Sequence, residues 1–245
     1  MASVEEHYKN LLAPYYTWIS GGADQQLDVN RSFFRKHKVL PSSGAQALDL
    51  GAGSGFQSIP LAELGFQVHA IDLSSALLRE LKARAGDLPI VTIQDNLLNF
   101  ARHIPSQFEI IVCMGDTLTH LNNLGEVQLV IRRVHKALAP QGRWVIGFRD
   151  LSVELSGLDR FIPVRSESHR IFTCFLEFKK KYVRVHDLLY ERTTDSWTLH
   201  SSFFHKLRIS AQWLQTALMK AGFRIDKLDI QMGMTMISAH KPKQP

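Results

Sequence analysis

The chain has 245 residues, a formal net charge of +6, 45% hydrophobic and 21% charged residues. That is enough for one good-sized domain with an insertion, and it is the composition of an ordinary globular protein. No apolar run reaches the ~18 residues that a bilayer-spanning helix needs, and the acidic opening MASVEEHYKN lacks the apolar core of a secretory signal. The two cysteines, Cys113 and Cys174, form no CxxC pair, so a disulfide scaffold is excluded and a cytoplasmic location is expected. The pI of about 9.4 admits an anionic partner. The longest basic run is only Lys179 to Lys181, so a dispersed basic surface is the plainer reading.

Residues 1–40 read as an N-terminal helical segment in which Tyr15, Tyr16 and Trp18 precede Gly21 and Gly22. From 45 to 148 short apolar runs alternate with helical patterns. AQALDL is a strand that ends in a glycine-rich turn. FQSIPLAELG is a short helix with Gly65 as its stop, and FQVHAIDL is a second strand. Ser74 caps a helix whose Leu77, Leu78 and Leu81 share a face. PIVTIQD and FEIIVCM are strands three and four. EVQLVIRRVHKAL is a helix with a stripe of Leu129, Val130, Val134, Ala137 and Leu138. PQG is a turn, and RWVIGF is strand five. From 161 to 209 the pattern changes to antiparallel strands, RIFTCFLEF, KYVRVHDLLYER and WTLHSSFFHKLRI, joined by polar turns. A helix from Ser210 to Gly222 and two strands, FRIDKLDI and MTMISAH, close the chain.

Strands alternating with helices imply an α/β fold: a doubly wound sheet covered on both faces, with ligands at the carboxyl ends of its strands. The antiparallel segment 161–209 reads as a β insertion before the last helix, placed to cover those strand ends. The core is then 41–160 with 210–245. A homo-oligomer that pairs inserted strands is compatible with the pattern. No metal-ligand cluster is visible.

The residues after each strand carry the chemistry. After strand one comes DLGAGSGF, with Asp49, Gly51, Ala52, Gly53 and Gly55. It is a GxGxG pattern rather than GxGxxG, since Phe56 stands where the last glycine would. Strand two ends AIDLS, where Asp72, followed by Leu73, can accept hydrogen bonds from both hydroxyls of a ribose or cap the next helix. Strand three ends QDNLLNF: Asp95 can accept from an exocyclic amine, and Leu97, beyond Asn96, can flank a base. Strand four ends CMGDTLTHL, with Met114, Gly115, Asp116 and His120.

These motifs resemble the class I S-adenosylmethionine-dependent methyltransferases. The resemblance runs from about residue 10 to 240 and implies a Rossmann-like seven-stranded sheet with S-adenosyl-L-methionine as cofactor. It implies that Asp49 holds the methionine amino group directly or through water, Asp72 the ribose, and Asp95 the adenine amine. Met114 and Gly115 would pass along the cofactor. Within the family the chain is loosely similar to the glycine/sarcosine N-methyltransferase group of small-molecule enzymes. Their Gly-polar-x-x-x-His-Leu pattern is matched by GDTLTHL, and Arg149 in VIGFRD lies at or next to an arginine that grips a substrate carboxylate. Asp116 stands where an asparagine is familiar.

Direct methyl transfer needs alignment and a dry site more than a strong acid or base. The expected catalytic candidates are Asp116, His120 and Arg149, with Asp150, Tyr190 and His205 nearby. Each has a plainer reading: His120 as a loop anchor, Asp116 as a cap, Arg149 as the partner of an acid. Tyr15 and Trp18 could close over a sulfonium, as aromatic rings do over cations, or only pack a helix on the sheet. The expected acceptor is a small molecule such as an amine bearing a carboxylate. An RNA or protein methyltransferase using the basic surface is the alternative, although the loop after strand four lacks the Asn/Asp-Pro-Pro-aromatic pattern of base-amine enzymes. Nucleic acid and membrane partners are not expected.

Overall fold

The computed structural model describes residues 4–42, 45–104, 107–231 and 233–243; the first three residues of the expected N-terminal segment lie outside them. The strands in chain order are β1 (Gln46–Leu50), β2 (Gln67–Asp72), β3 (Ile90–Gln94), β4 (Phe108–Cys113), β5 (Leu138–Phe148), β6 (Phe161–Glu167), β7 (Arg170–Phe178), β8 (Tyr182–Arg192), β9 (Trp197–Leu207), β10 (Arg224–Gln231) and β11 (Met234–His240). Seven of them form one sheet in the order β10-β11-β5-β4-β1-β2-β3. β1 to β5 pair in parallel, and β11 inserts antiparallel between β5 and β10. The α/β fold and the seven-stranded sheet are therefore as expected.

Central position explains composition. β1 is buried along Ala47, Leu48, Asp49 and Leu50, the continuous burial of a strand covered on both faces. Asp49 is the one charged residue in that run. Helices α1 (Val4–His7), α2 (Tyr16–Ile19), α3 (Ala23–Lys36), α4 (Ser58–Glu63), α5 (Ser75–Ala85), α6 (Leu124–Ala137) and α7 (Ala211–Lys220) complete the fold. Ser74 caps α5 by accepting from the Leu77 N–H, and Ser210 caps α7 in the same way from Trp213. One core layer packs α6 and α7 on the sheet around Trp144, Ile146 and Phe148. The other packs Phe33 and Phe34 of α3 and Leu61 of α4 on Ala47, Val68 and Val112.

Three local expectations are corrected. The buried stripe of α6 is Val127, Val130, Ile131, Val134 and Ala137; Leu129 is only partly buried. The PQG segment is no isolated turn. β5 already starts at Leu138 and pairs there with Phe108, and its register shifts before Arg143. Gln141, at φ 66°, marks the irregularity and donates to the Lys241 carbonyl. The insertion has a fourth strand, β6, whose Pro163 sits at a register shift on the sheet edge, the place where a strand tolerates proline.

The inserted sheet runs β6-β7-β8-β9. In β8 the alternation turns Val183, Val185, Asp187 and Leu189 inward, the period of two that a one-sided sheet demands. Between this sheet and the strand ends runs the N-terminal segment: α1, a π turn at Tyr8–Leu12, a short 3-10 turn and α2. Leu11 and Leu12 pack there against Phe172 and Leu189.

Candidate functional site

The carboxyl ends of β1 to β4 surround a narrow cavity bounded by Gly51, Gly53, Asp72, Leu73, Asp95, Leu97, Gly115 and Thr117. The turn after β1 works because of two glycines. Gly51 has φ 79°, and a Cβ there would lie 2.3 Å from Thr117 Oγ1; Gly55 has φ 87°, and its Cβ would strike Leu81. The first lets the β1 and β4 turns touch, and the second seats the turn on α5. Thr117 Oγ1 itself donates to the Met114 carbonyl.

Asp72 organises this turn. Its Oδ2 accepts from the Gly53 N–H at 2.8 Å and its Oδ1 from the Ser74 N–H at 2.8 Å. Burial raises its pKa, against the pull of those backbone donors. The helix cap is Ser74, not Asp72. A carboxylate has about four lone-pair sites, so two accepted bonds leave capacity for a diol.

Asp49 is fully buried, accepts from Ser58 Oγ at 2.6 Å through Oδ2, and leaves Oδ1 with no protein partner. Burial raises its pKa to about 7. Asp95 accepts from the Asn96 N–H and from Asn99 Nδ2, and its Oδ2 lies 2.7 Å from His103 Nε2. The Asn99 hydrogen bond and then His103 hold it down to about 2. The Asn96 side chain caps the following turn by accepting from Leu98 N–H. The Ala52 N–H donates to the Ile71 carbonyl. Neither of these two residues borders the cavity.

Tyr15 and Trp18 do not face either cavity, and that expectation is corrected. Tyr15 OH donates to Glu191 and Trp18 Nε1 to Glu167, both on the inserted sheet, and the Arg170 guanidinium lies over both rings. The aromatics that border the narrow cavity are Tyr8 and Tyr16. Tyr16 stacks on Phe56 with ring centroids 5.9 Å apart. On this short helical run only one face meets the strand ends, and it is the face of Tyr16.

A second, larger cavity of about 560 Å³ lies between the strand ends and the inserted sheet. The two share Tyr8, Tyr16, Gly51, Gly115 and His120 as a common wall. Met114, Asp116 and Arg149 border the larger one. Asp116 is 2% exposed and sits at φ 74°, a left-handed backbone that Asp tolerates better than most residues. Its Oδ1 accepts from the Arg149 N–H at 2.5 Å; its Oδ2 accepts from Lys206 Nζ at 2.7 Å and from the Arg149 guanidinium. Burial opposes the charge, but Lys206 and Arg149 outweigh it and hold the carboxyl well below the carboxylate range. Asp116 is thus a firmly held anion with three of its roughly four lone-pair sites taken, ill suited to take up a proton.

His120 packs against Tyr8 and Phe204, and its Nδ1 is buried without a partner. No anchoring backbone bond holds that nitrogen. Burial first, and then Lys206, lower its pKa to about 3. Its neutral ring stands where the cavities meet.

The other candidates separate. Asp150 accepts from the Ala211 N–H at the start of α7 and from Ser152. Tyr190 and His205 border neither cavity; His205 packs on Tyr182 with ring centroids 4.1 Å apart. Strand parity explains this. On β8 and β9 the inward positions are those of Asp187 and Leu189, and of Phe204 and Lys206, so the odd-one-over residues face away. Lys206 and a buried pair, His7 with Asp187, were not foreseen. His7 Nε2 lies 2.8 Å from Asp187 Oδ2, His7 Nδ1 lies 2.9 Å from Ser202 Oγ, and Cys174 Sγ donates to Asp187 Oδ1. The interruption of an apolar alternation by Asp187 was the available signal. Among the described residues no group of three or more His, Cys, Asp and Glu could hold a metal ion. No described helix is long and apolar enough to cross a membrane.

Residues 47–142 match the family described as a methyltransferase domain. Over this segment, and in the arrangement of its sheet, the chain is similar to the class I S-adenosylmethionine-dependent methyltransferases. It is 29% identical over 121 residues to a glycine/sarcosine N-methyltransferase of Aphanothece halophytica, which covers 48% of this chain and 46% of that protein. The chain thus spans a little under half the length of the glycine/sarcosine N-methyltransferases it matches. It is 22% identical to the mitochondrial ubiquinone biosynthesis O-methyltransferase of Schizosaccharomyces pombe, over 80% of this chain and 72% of that one. A solved S-adenosylmethionine-dependent methyltransferase from Clostridium acetobutylicum superposes with a TM-score of 0.75 over 96% of this chain and 99% of that one, at 14% identity. That likeness is one of fold.

Proposed function

We propose that this methyltransferase moves the methyl group of S-adenosyl-L-methionine directly to a nucleophilic atom of a small-molecule acceptor, one that carries an anionic group such as a carboxylate. The observation that carries this reading is the pair of cavities with one shared wall. The narrow one has the glycine turn and two acids, Asp72 and Asp95, at separate strand ends. The larger one adjoins it at Gly51, Gly115 and His120.

The residues suit the cofactor. Asp72 has lone pairs left for two ribose hydroxyls, and Leu73, Asp95 and Leu97 border the space a base would take. The free Oδ1 of buried Asp49 is an orphan that an ammonium group would satisfy, through water or through the adjoining turn. Bound S-adenosylmethionine supplies an electrophilic methyl on a sulfonium.

The protein side of the chemistry is alignment. Tyr8, Tyr16 and His120 wall the junction and keep bulk water from it. With the cofactor held at Asp72 and Asp95, an acceptor nucleophile placed against His120 would face its methyl group, and a nitrogen or oxygen nucleophile would pass its proton to solvent water. Burial and then Lys206 lower the His120 pKa to about 3, so its ring is neutral at neutral pH. It is suited to accept a hydrogen bond and orient the nucleophile, not to retain a proton. Arg149 and Lys206 share the single carboxylate of Asp116, and Arg149 keeps guanidinium donors free, which favours an anionic group on the acceptor.

Calorimetric titration with S-adenosylmethionine and S-adenosylhomocysteine tests the foundation. Micromolar binding of both is expected, and absence of binding by either overturns the reading.

A further inference from the structure

The larger cavity is built for more than an amino acid. Resting on the reading above, we propose that the acceptor is a predominantly apolar molecule with one anionic group. Its body would lie between the inserted sheet and the strand ends, and its anion against Arg149 and Lys206.

Size is the first argument. Cavities of about 300–1,000 Å³ hold drug-sized ligands, and this one measures about 560 Å³. At about 30 Å³ per water-sized group, glycine or sarcosine fills only roughly 150–200 Å³. The whole cavity, which also takes in the Gly51–Gly115 end next to the cofactor, is about three times that bulk. An amino acid there would leave most of the cavity to water against apolar walls.

Wall chemistry is the second. The inserted sheet contributes Ile162, Val164, Phe172, Leu176, Val185 and Phe204 as apolar surface, and Asp187 and Lys206 as its charged groups. The apolar residues come from all four strands β6 to β9, so most of the sheet's inner face is apolar. Opposite it, Met234 and Met236 of β11 add adaptable thioether surface. The polar wall residues Asn30 and Gln57 are bonded to each other at 3.2 Å. An acceptor rich in hydroxyls would lose hydration on the sheet side without recovering it.

Charge is the third. Lys206 is nearly buried, with its side chain 12% exposed, and its Nζ is committed to Asp116. Arg149 is 54% exposed and makes one side-chain bond to the same carboxylate. A guanidinium carries five N–H donors, so most remain for a ligand at the edge of an apolar chamber. At the Asp116 cluster two cations face one carboxylate, while the cavity's other carboxylate, Asp187, is taken up by His7 and Cys174; such an end in a mostly apolar space describes an amphipathic acid.

The test uses intact protein saturated with S-adenosylhomocysteine and the probes decanoate, decanol and sarcosine. Decanoate should bind by calorimetry. Decanol should bind about tenfold more weakly, since one charge-assisted contact is worth about 1.5 kcal/mol. Sarcosine should give no heat at millimolar concentration. Arg149→Gln should erase the preference of decanoate over decanol. Val164→Glu, at a half-exposed edge position that the fold tolerates, should weaken both alkyl probes about tenfold while S-adenosylhomocysteine affinity holds. Equal binding of decanol and decanoate overturns the anionic end. Binding of sarcosine without decanoate overturns the apolar body. If S-adenosylhomocysteine itself fails to bind, the underlying cofactor reading falls, and this inference with it; if it binds and decanoate does not, only the inference falls.

Discussion

The two cavities are built in opposite ways. The narrow one is made at the ends of β1, β2, β3 and β4, largely from backbone and short side chains: Gly51, Gly53, Asp72, Gly115. Each group sits within a few residues of a strand end and is held by bonds to its own neighbourhood, such as Asp72 to Ser74 and to the turn after β1. The larger one is made of side chains from the π turn at Tyr8 through β11. Asp116 and Lys206, its charged centre, are 90 residues apart; His7 and Asp187 are 180 apart. The first construction suits a ligand shared by a whole family; the second can be altered strand by strand without touching the first.

That division predicts separable phenotypes. The largest effect is expected for Asp72→Ala. It deletes the acceptor of the Gly53 N–H and the two bonds proposed for the ribose, each worth about 1.5 kcal/mol or more to a charged group, so cofactor affinity should fall about 100-fold or more. Calorimetry reads it, and affinity within threefold of the parent would remove Asp72 from the cofactor site. Next comes Asp116→Asn, which keeps the shape and tolerates the positive φ. It leaves Lys206 buried without its counter-charge, at a cost of about 3 kcal/mol. Because the Asp116 pKa is depressed, its contribution is full above about pH 4 and is lost as pH falls toward and below that. The gap between parent and variant in denaturant titrations should therefore narrow on acidification. Cofactor affinity should change little; a loss as deep as that of Asp72→Ala would merge the two halves.

The same contrast explains what could be read in the sequence. Strand-end acids follow local rules, since a strand, a turn and a helix cap are each set by a few adjacent residues. Asp49, Asp72, Asp95 and the glycine turn could therefore be placed at their strand ends one segment at a time; Asp72 and Asp95 border the narrow cavity, whereas Asp49 is buried and borders neither. Tyr15 and Trp18 were misassigned because a short irregular helical run has no stable period from which to read its inward face. Tyr190 and His205 were chosen by residue type, but strand parity turns them away. Lys206 and His7 acquire meaning only from partners far along the chain. Arg149 held two open readings, a carboxylate grip and a partner for an acid; the ion pair with Asp116 is present, and the grip belongs to the proposal for the acceptor.

A smaller effect sharpens the border between the halves. His7 and Asp187 join the N-terminal segment to the inserted sheet, and that segment supplies Tyr8 and Tyr16 to both cavities. His7→Phe keeps the contact with Phe204, whose ring centroid lies 4.5 Å away, but drops the bonds to Asp187 and Ser202. The cost is about 1–3 kcal/mol of local stability. Cofactor release, followed by stopped-flow tryptophan fluorescence, should quicken about tenfold while core unfolding by denaturant shifts less than for Asp116→Asn. An unchanged release rate would mean that the segment does not gate the narrow cavity.

The smallest expected signal concerns Asp49, and it is a count of protons. Burial raises this carboxyl to about 7, so in the free protein it holds a proton over much of the range below neutrality, whereas an unfolded aspartate there is ionised. Folding thus favours the protonated form, and Asp49 costs stability increasingly as pH rises from about 4 toward 7. An ammonium group brought near its free Oδ1 reverses the balance by stabilising the carboxylate. Binding of S-adenosylmethionine near pH 6.5 should then release a substantial fraction of one proton. Titrations in two buffers of different ionisation enthalpy measure that release directly. Asp49→Asn should abolish it with a several-fold loss of affinity, because an amide oxygen still accepts the hydrogen bond but carries no charge. Proton release that persists in Asp49→Asn would assign it to another group and leave the buried acid of β1 with a purely structural bond to Ser58.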